Sequence, residues 1–391
     1  MKVTMYEVNF GEAVLYQEGD SKLLVDCGAK FGQKGNLAFN RVKSKIDSKT
    51  KLLISHFDED HYNGIIQMPD TLKFAKIYLP LYIYKDKKVQ NTEEVFVDTI
   101  RTWTYLMAIG KKTKINALHS LFFKLPKLVK TLDDICCVGA GFSFPMERKK
   151  VDVLWPRPNT AIRKRMYAEE VLQILRGNCT NIQQFEEFVF LADVYIELFL
   201  KVYRFYAGIK GDEVSQYESR ETFYEEMERF RNAYERISAL SLYIELEESA
   251  KKRIDSISSI NIRNMNECSV VLESGNEVIA FGDVSARIIK YMKNNKIISY
   301  KEYKVVKVQH HGTGAYWSDD LPDANVYFIS NSGDAKPNWS IDKRYGLLYA
   351  DKVTCTNDNP KRCGYYNCAR KCSMCNVGLV TTEIIKDCAT I

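Results

Sequence analysis

Four of the five histidines in this chain fall in two short segments, His56-Phe57-Asp58-Glu59-Asp60-His61 and His310-His311, and Phe281-Gly282-Asp283 lies between them. Imidazole nitrogens and carboxylate oxygens are the donors that hold a catalytic divalent cation. His56, Asp58 and Asp60 alternate and His61 follows at once, so a short ligand-rich turn can aim them at a pair of cations about 3.5–4 Å apart. Asp283 follows a glycine, where the backbone can turn sharply and offer a carboxylate as a bridge. A lone histidine is more often a core or surface residue than a ligand. His119, with no carboxylate neighbour in sequence, is given no role on that ground. Five acidic or imidazole residues in six positions, joined by Gly-Asp and a double histidine, fit that bland reading poorly.

The elements that must position these residues read as strands, then helices, then strands. Ala13–Tyr16 and Lys22–Asp26 are apolar runs separated by the turn-forming Glu18-Gly19-Asp20-Ser21. Lys51–Ser55 is a short strand that ends on the first histidine cluster, and Ile77–Ile83 is another. Residues 93–135 carry apolar side chains at helical spacing, as in Val95, Ile100, Trp103, Leu106 and Met107. Val151–Trp155 is a strand ended by Pro156. A second helical stretch spans about 160–257 and includes the charged, one-striped segment Glu225–Arg231. Strands return at Ser269–Glu273 and Glu277–Phe281, with Ser274-Gly275-Asn276 as a hairpin turn, then at Val305–Val308 and Val326–Ile329. All three groups of candidate ligands thus sit at strand ends, where open sheets gather their chemistry. The helical insertions read equally well as a lid over the site or as a surface for a partner protein or for self-association.

Ser55 through Gly64 resembles the His-x-His-x-Asp-His signature of the metallo-β-lactamase superfamily. It is closer still to the form in DNA-uptake competence proteins, Ser-His-x-Asp-x-Asp-His-x-Gly-Gly, with Asn63 in place of the first glycine. Leu24–Gly28, Val153–Pro156, Asn266–Leu272, Phe281–Asp283 and Lys307–Gly314 are similar to further motifs of that family, in the same order along the chain. The resemblance implies an α/β fold: a four-layer αββα sandwich of two mixed sheets flanked by helices, with a metal centre at one edge. Position by position it implies metal contacts from His56, Asp58, Asp60, His61 and Asp283, completed by one or both of His310 and His311, with His310 favoured. Between the two adjacent histidines, an extended run from Val305 would put His310 on one face with Val306 and Val308 and turn His311 away. In this scheme Asp60 also orients the attacking water, Asp58 assists as ligand or base, Asp283 bridges the cations and His311 hands a proton to the leaving oxygen. The chain departs from the wider family in three places. Asp58 replaces the second signature histidine, Asn266 is the nearest polar residue where a histidine usually precedes Gly-Asp, and Ser332–Trp339 contains no late histidine. One of the two metal positions is therefore expected to be weak, oxygen-rich or empty, and an oxygen-rich one favours manganese or magnesium more than a three-histidine one would, with zinc still open.

The expected reaction is phosphodiester hydrolysis, by a nuclease or a nucleotide hydrolase. Hydrolysis of a lactone, thioester or amide is the alternative within enzymes, and a binding or regulatory protein with a degraded site is the alternative outside them. The chain has 391 residues, a net charge of +6 and 46% hydrophobic residues, which suits a globular protein and is compatible with a polyanionic substrate. Trp317 and Trp339 could stack on a base, although core packing is the commoner use of such rings. Arg148-Lys149-Lys150 adds only local positive charge. No apolar run is long enough for a membrane span, and the first residues read as a strand without a signal core, so a cytoplasmic location is expected. The proposed division is a hydrolase domain over residues 1–350, with helical insertions at about 90–135 and 160–260, and a tail over 351–391. Six of the eleven cysteines lie in that tail. Cys372-Ser373-Met374-Cys375 is a knuckle that Cys363 and Cys368 could complete as a structural zinc site, with free thiols or a redox pair as alternatives.

Overall fold

The computed structural model describes residues 1–29, 35–84, 91–157, 162–163, 165–208, 220–240, 242–331, 340–345, 353–356 and 382–384. Cys363, Cys368, Cys372, Cys375 and Trp339 lie outside the described residues. Contacts within the chain group into two units. One contains residues 1–80, 124–157 and 266–391, the other 81–123 and 158–265.

The first unit is built on two mixed sheets of seven described strands each. The strands are β1 (Lys2–Met5), β2 (Val14–Glu18), β3 (Ser21–Val25), β4 (Lys51–Leu53), β5 (Lys76–Pro80), β6 (Ile135–Val138), β7 (Ser143–Pro145), β8 (Lys150–Trp155), β9 (Val271–Ser274), β10 (Val278–Ala280), β11 (Glu302–Lys307), β12 (Asp323–Ile329), β13 (Val353–Cys355) and β14 (Thr382–Ile384). One sheet runs β14-β1-β2-β3-β4-β5-β6 and the other β13-β12-β11-β10-β9-β8-β7. In the first, β3, β4 and β5 are parallel, with Val25 opposite Leu53 and Leu53 opposite Tyr78. In the second, β10, β11 and β12 are parallel, with Val278 opposite Val305 and Val305 opposite Val326. Helices flank the sheets, an arrangement compatible with an αββα sandwich.

Strand alternation explains the core. Val3 and Met5, Val14 and Tyr16, and Leu23 and Val25 are two apart on their strands, so each pair shares a face. They join Leu53 and Tyr78 in one cluster with Phe144, Val151, Val153, Leu272, Val278, Val305 and Phe328 from the other sheet. The inner faces of the two sheets therefore pack on one another. Each such Val, Leu or Phe contributes about 1.5–3 kcal/mol on burial. The consequence for the site is rigidity at the strand ends: β3, β4, β10 and β11 are interior strands with neighbours on both sides.

The second unit is helical among its described residues. Asn91–Tyr105, Thr113–Lys124, Ala168–Gly177, Ile182–Tyr206, Arg220–Ala239 and Glu248–Glu267 are its helices. Its core is aromatic: Phe96, Phe122, Phe199, Tyr203 and Phe230 pack ring against ring. Asp98 accepts the backbone N–H groups of Tyr167 and Ala168 at 2.7 and 3.0 Å, which satisfies donors that the start of helix Ala168–Gly177 leaves open. No helix among the described residues is long and apolar enough to cross a membrane.

Candidate metal centre

Four strand ends deliver the site. After β3 the chain enters Asp26 with φ +60°, a left-handed conformation that costs a non-glycine residue roughly 1–2 kcal/mol. That turn sends the Asp26 carboxylate toward the residues after β4, where it accepts the Ser55 N–H at 2.7 Å and the Ser55 hydroxyl at 2.6 Å. Gly28 follows, and a Cβ there would lie 2.4 Å from the Asp60 carbonyl, so only glycine permits this approach. The segment read from sequence as a ligand-rich turn is in fact half helix. Asp58 is extended (φ −100°, ψ 143°) and caps helix Glu59–Ile66 by accepting the Glu59 N–H. Asp60 and His61 therefore sit in its first turn, both buried. Asn63 clamps Ala29 by accepting its N–H at 2.8 Å and donating to its carbonyl.

From the other sheet, β10 ends in the Phe281-Gly282-Asp283 turn. Gly282 has φ +48°, and a Cβ would meet the Val270 carbonyl at 2.8 Å. The Asp283 N–H donates to Ser269 Oγ at 3.0 Å. β11 ends at Lys307, and the chain does not continue extended through the two histidines. His310, His311 and Gly312 have φ values of +44°, +55° and +70°. Strand alternation therefore does not govern this segment, and both imidazoles turn toward Asp283 instead of facing opposite ways.

The result is a convergence on one oxygen. Asp283 Oδ2 lies 3.3 Å from His61 Nε2, 3.7 Å from His311 Nε2, 3.8 Å from His310 Nε2 and 3.9 Å from His56 Nε2. His311 Nε2 is also 3.6 Å from Asp60 Oδ2. Among the described residues, two groups have donor atoms close enough to share a cation: His56, His61 and Asp283, and Asp60, His61 and His311. Asp58 belongs to neither group, its carboxylate being engaged at the helix cap.

Hydrogen bonding decides which imidazole nitrogen faces this space. His311 Nδ1 lies 2.9 Å from the Ser330 carbonyl, which can only accept, so Nδ1 carries the proton. His61 Nδ1 lies 2.8 Å from Asp26 Oδ2, with the same consequence. The single Ser55 hydroxyl proton goes to Asp26, so Ser55 Oγ accepts from His56 Nδ1 at 3.1 Å. The Thr313 hydroxyl donates to the His310 carbonyl and accepts from His310 Nδ1 at 2.7 Å. In its neutral form each of the four imidazoles thus presents an unprotonated Nε2 to Asp283. Partners of this kind fix the tautomer of a metal-bound histidine.

The donor set fits a cation on a further observation. His56 Nε2, His61 Nε2, His311 Nε2 and Asp283 Oδ1 are buried and have no hydrogen-bond partner among the described residues. Each buried unsatisfied polar atom costs about 1–3 kcal/mol, which a shared cation would relieve. The carboxylates and imidazoles also interact strongly with one another. Burial pushes His61 down, but the Asp283 and Asp26 carboxylates outweigh it and hold the imidazole well above its ordinary value. Burial would raise Asp283, but His61, His311 and His310 hold it well below the usual carboxylate range. Burial and the neighbouring His61 lower His56 to about 4.

Other sequence candidates take structural places. Asn266 is buried and donates to the Tyr316 hydroxyl at 3.2 Å, while its carbonyl accepts from Ser269 N and Oγ. The Tyr316 ring stacks on His310 at 3.7 Å with a 6° interplanar angle. Asn266 therefore supports both the Asp283 turn and the His310 ring. Trp317 is 7% exposed, edge-on to Tyr345 and covered by the Arg344 guanidinium at 4.9 Å. Its ring is occupied by packing. Asp26, Ser55, Thr313, Tyr316 and Ser330 received no role from the sequence. Asp26, Ser55 and Thr313 lie inside the motif-like segments Leu24–Gly28, Ser55–Gly64 and Lys307–Gly314, which marked their neighbourhood but not their roles. No protein-family model and no curated protein matches the chain.

Proposed function

We propose that this protein is a metal-dependent hydrolase that holds one or two divalent cations and cleaves a phosphodiester in a nucleic acid or nucleotide. The observation that carries the reading is the meeting of four imidazole Nε2 atoms on Asp283 Oδ2, with every Nδ1 already engaged. Four nitrogen donors beside Asp60 and Asp283 favour zinc. Manganese is the alternative, as a more oxygen-rich set would select it. A cation held there lowers the pKa of water toward neutrality and neutralises charge on a phosphoryl oxygen.

The chain's own groups divide the remaining work. Asp283 would share the cation with the imidazoles through its carboxylate. Asp60, whose Oδ2 faces His311, orients the attacking water by accepting its hydrogen bond. His311, with Nδ1–H spent on Ser330, is suited to hold the cation through Nε2. His310, 18% exposed, is the group we assign to proton exchange with the leaving oxygen at Nε2. Asp58 assists by fixing the helix that carries Asp60 and His61. The similarity to the competence proteins and the net charge of +6 support a nucleic-acid substrate. The buried thiols of Cys27 and Cys268 suit a reducing compartment, and we place the protein in the cytoplasm.

The test pairs metal analysis of the purified protein and its Asp60→Ala variant with turnover of bis(p-nitrophenyl) phosphate, a single-stranded oligonucleotide, a thioester and a lactone. One or two equivalents of cation and phosphodiester cleavage lost on chelation are expected. Cleavage of only the thioester or lactone would move the substrate class. A cation without any turnover would leave a binding protein. Unchanged cation content in Asp60→Ala would remove Asp60 from the ligands.

A further inference from the structure

Glu12 and Lys307 form an ion pair with side chains 3% and 2% exposed. They come from different sheets: Glu12 precedes β2, and Lys307 ends β11. Burying two charges usually costs more than their attraction returns, so a packed apolar pair would serve stability at least as well. The position of the pair supplies another reason for it. The Glu12 N–H reaches both the Gly28 and Asp60 carbonyls at 3.1 Å, and the Gly28 N–H returns to the Glu12 carbonyl at 3.0 Å. Glu12 is thus tied to the turn of β3 and to the backbone of Asp60. Lys307 Nζ lies 3.4 Å from the Gly282 carbonyl, which also accepts the His310 N–H at 3.0 Å. Lys307 is thus tied to the Asp283 turn and, through one shared carbonyl, to His310. One partner grips the donors of the first sheet and the other those of the second.

We propose that the buried Glu12–Lys307 pair is a positioning latch that sets the distance between the two halves of the metal centre, and so its cation affinity. The inference rests on the metal-centre reading above. Neither side chain needs to touch the cation. Without the latch, Asp60 and His61 remain on their helix and Asp283 and His310 on their turn, but the gap between the halves is no longer held. Partners one step behind metal ligands typically change affinity by roughly 10–100-fold.

The test uses the full chain and three variants: Glu12→Leu, Lys307→Met and the double variant. Zinc affinity is measured against a chromophoric chelator, and the melting temperature of each metal-free protein is recorded beside it. Each single variant strands a buried charge, so lower stability accompanies weaker binding there. The double variant strands none, and its metal-free form should melt at or above the wild-type temperature. It should still bind zinc at least tenfold more weakly. Wild-type affinity in the double variant would overturn the latch. A double variant that loses stability in step with affinity would reduce the pair to a fold element and overturn it as well. A wild-type protein that takes up neither zinc nor manganese would overturn the metal-centre reading itself, a result distinct from the other two.

Discussion

The two units each bury histidine, and they do so in opposite ways. In the strand unit His61 sits between the carboxylates of Asp26 and Asp283, which outweigh burial and hold it well above its ordinary value. In the helical unit His119 is enclosed by rings. Tyr234 stacks on it at 4.0 Å, with Phe123, Tyr195 and Phe230 around it, and its Nδ1 has no hydrogen-bond partner among the described residues. Burial, aided by Arg231, lowers it to about 3. The same side chain at similar depth thus lies between carboxylates in one place and among aromatic rings in the other. Neighbouring carboxylates, not burial, mark which histidines are available for chemistry.

The sharpest way to break this comparison is to remove the carboxylate at its centre. Asp283→Asn should lower cation affinity by at least a hundredfold and abolish hydrolysis, because one oxygen serves four imidazoles. Equilibrium dialysis against zinc checks it, and wild-type loading would dissolve the centre as described.

Asp26→Asn should act one step more weakly. It removes the acceptor that fixes the His61 tautomer and frees the Ser55 proton that sets His56, so a 10–100-fold loss of affinity is expected with the cluster otherwise in place. Cobalt-loaded protein should show a changed visible spectrum, and an unchanged one would count against tautomer control by Asp26.

The His119 prediction concerns pH. Its folded value lies near 3 against about 6.5 in an unfolded chain. Between those values the unfolded chain binds more protons, so stability from this site is complete above about pH 6.5 and falls as pH drops toward 3. The loss at pH 5 is about 2 kcal/mol. His119→Phe should flatten that acid limb in urea denaturation curves at pH 7 and pH 5, while leaving zinc affinity untouched. Parallel acid limbs in the two proteins would show that His119 is not the titrating group.

The smallest effect belongs to Asp98→Ala, which frees two N–H groups at the start of helix Ala168–Gly177. A loss of about 1–2 kcal/mol is expected, again without change in zinc affinity. A neutral result would mean that water replaces the carboxylate there.

What was legible in the sequence was periodic or local. Alternating apolar residues announced the strands, helical spacing announced the insertions, and clustered donors at strand ends announced Asp60, His61, Asp283 and the double histidine. What escaped depends on backbone sign and distant pairing. The left-handed His310–Gly312 turn could not be read from residues that usually avoid positive φ, so alternation favoured His310 over its neighbour. Asp58 could serve as ligand or helix cap, and its claim as a ligand hid the start of the helix. Asp26 with His61, and Glu12 with Lys307, meet only after the sheets pack, and no spacing rule joins residues so far apart.

The centre draws on both sheets, and His61 precedes Asp283 by 222 positions. During synthesis the early histidines emerge long before their counterpart exists. A ribosome-bound chain stopped before residue 283 would carry imidazoles that no acidic bridge gathers. Cation uptake would then report that translation has passed the second half of the site, and a protein cut between the halves would regain metal only when its pieces reassemble.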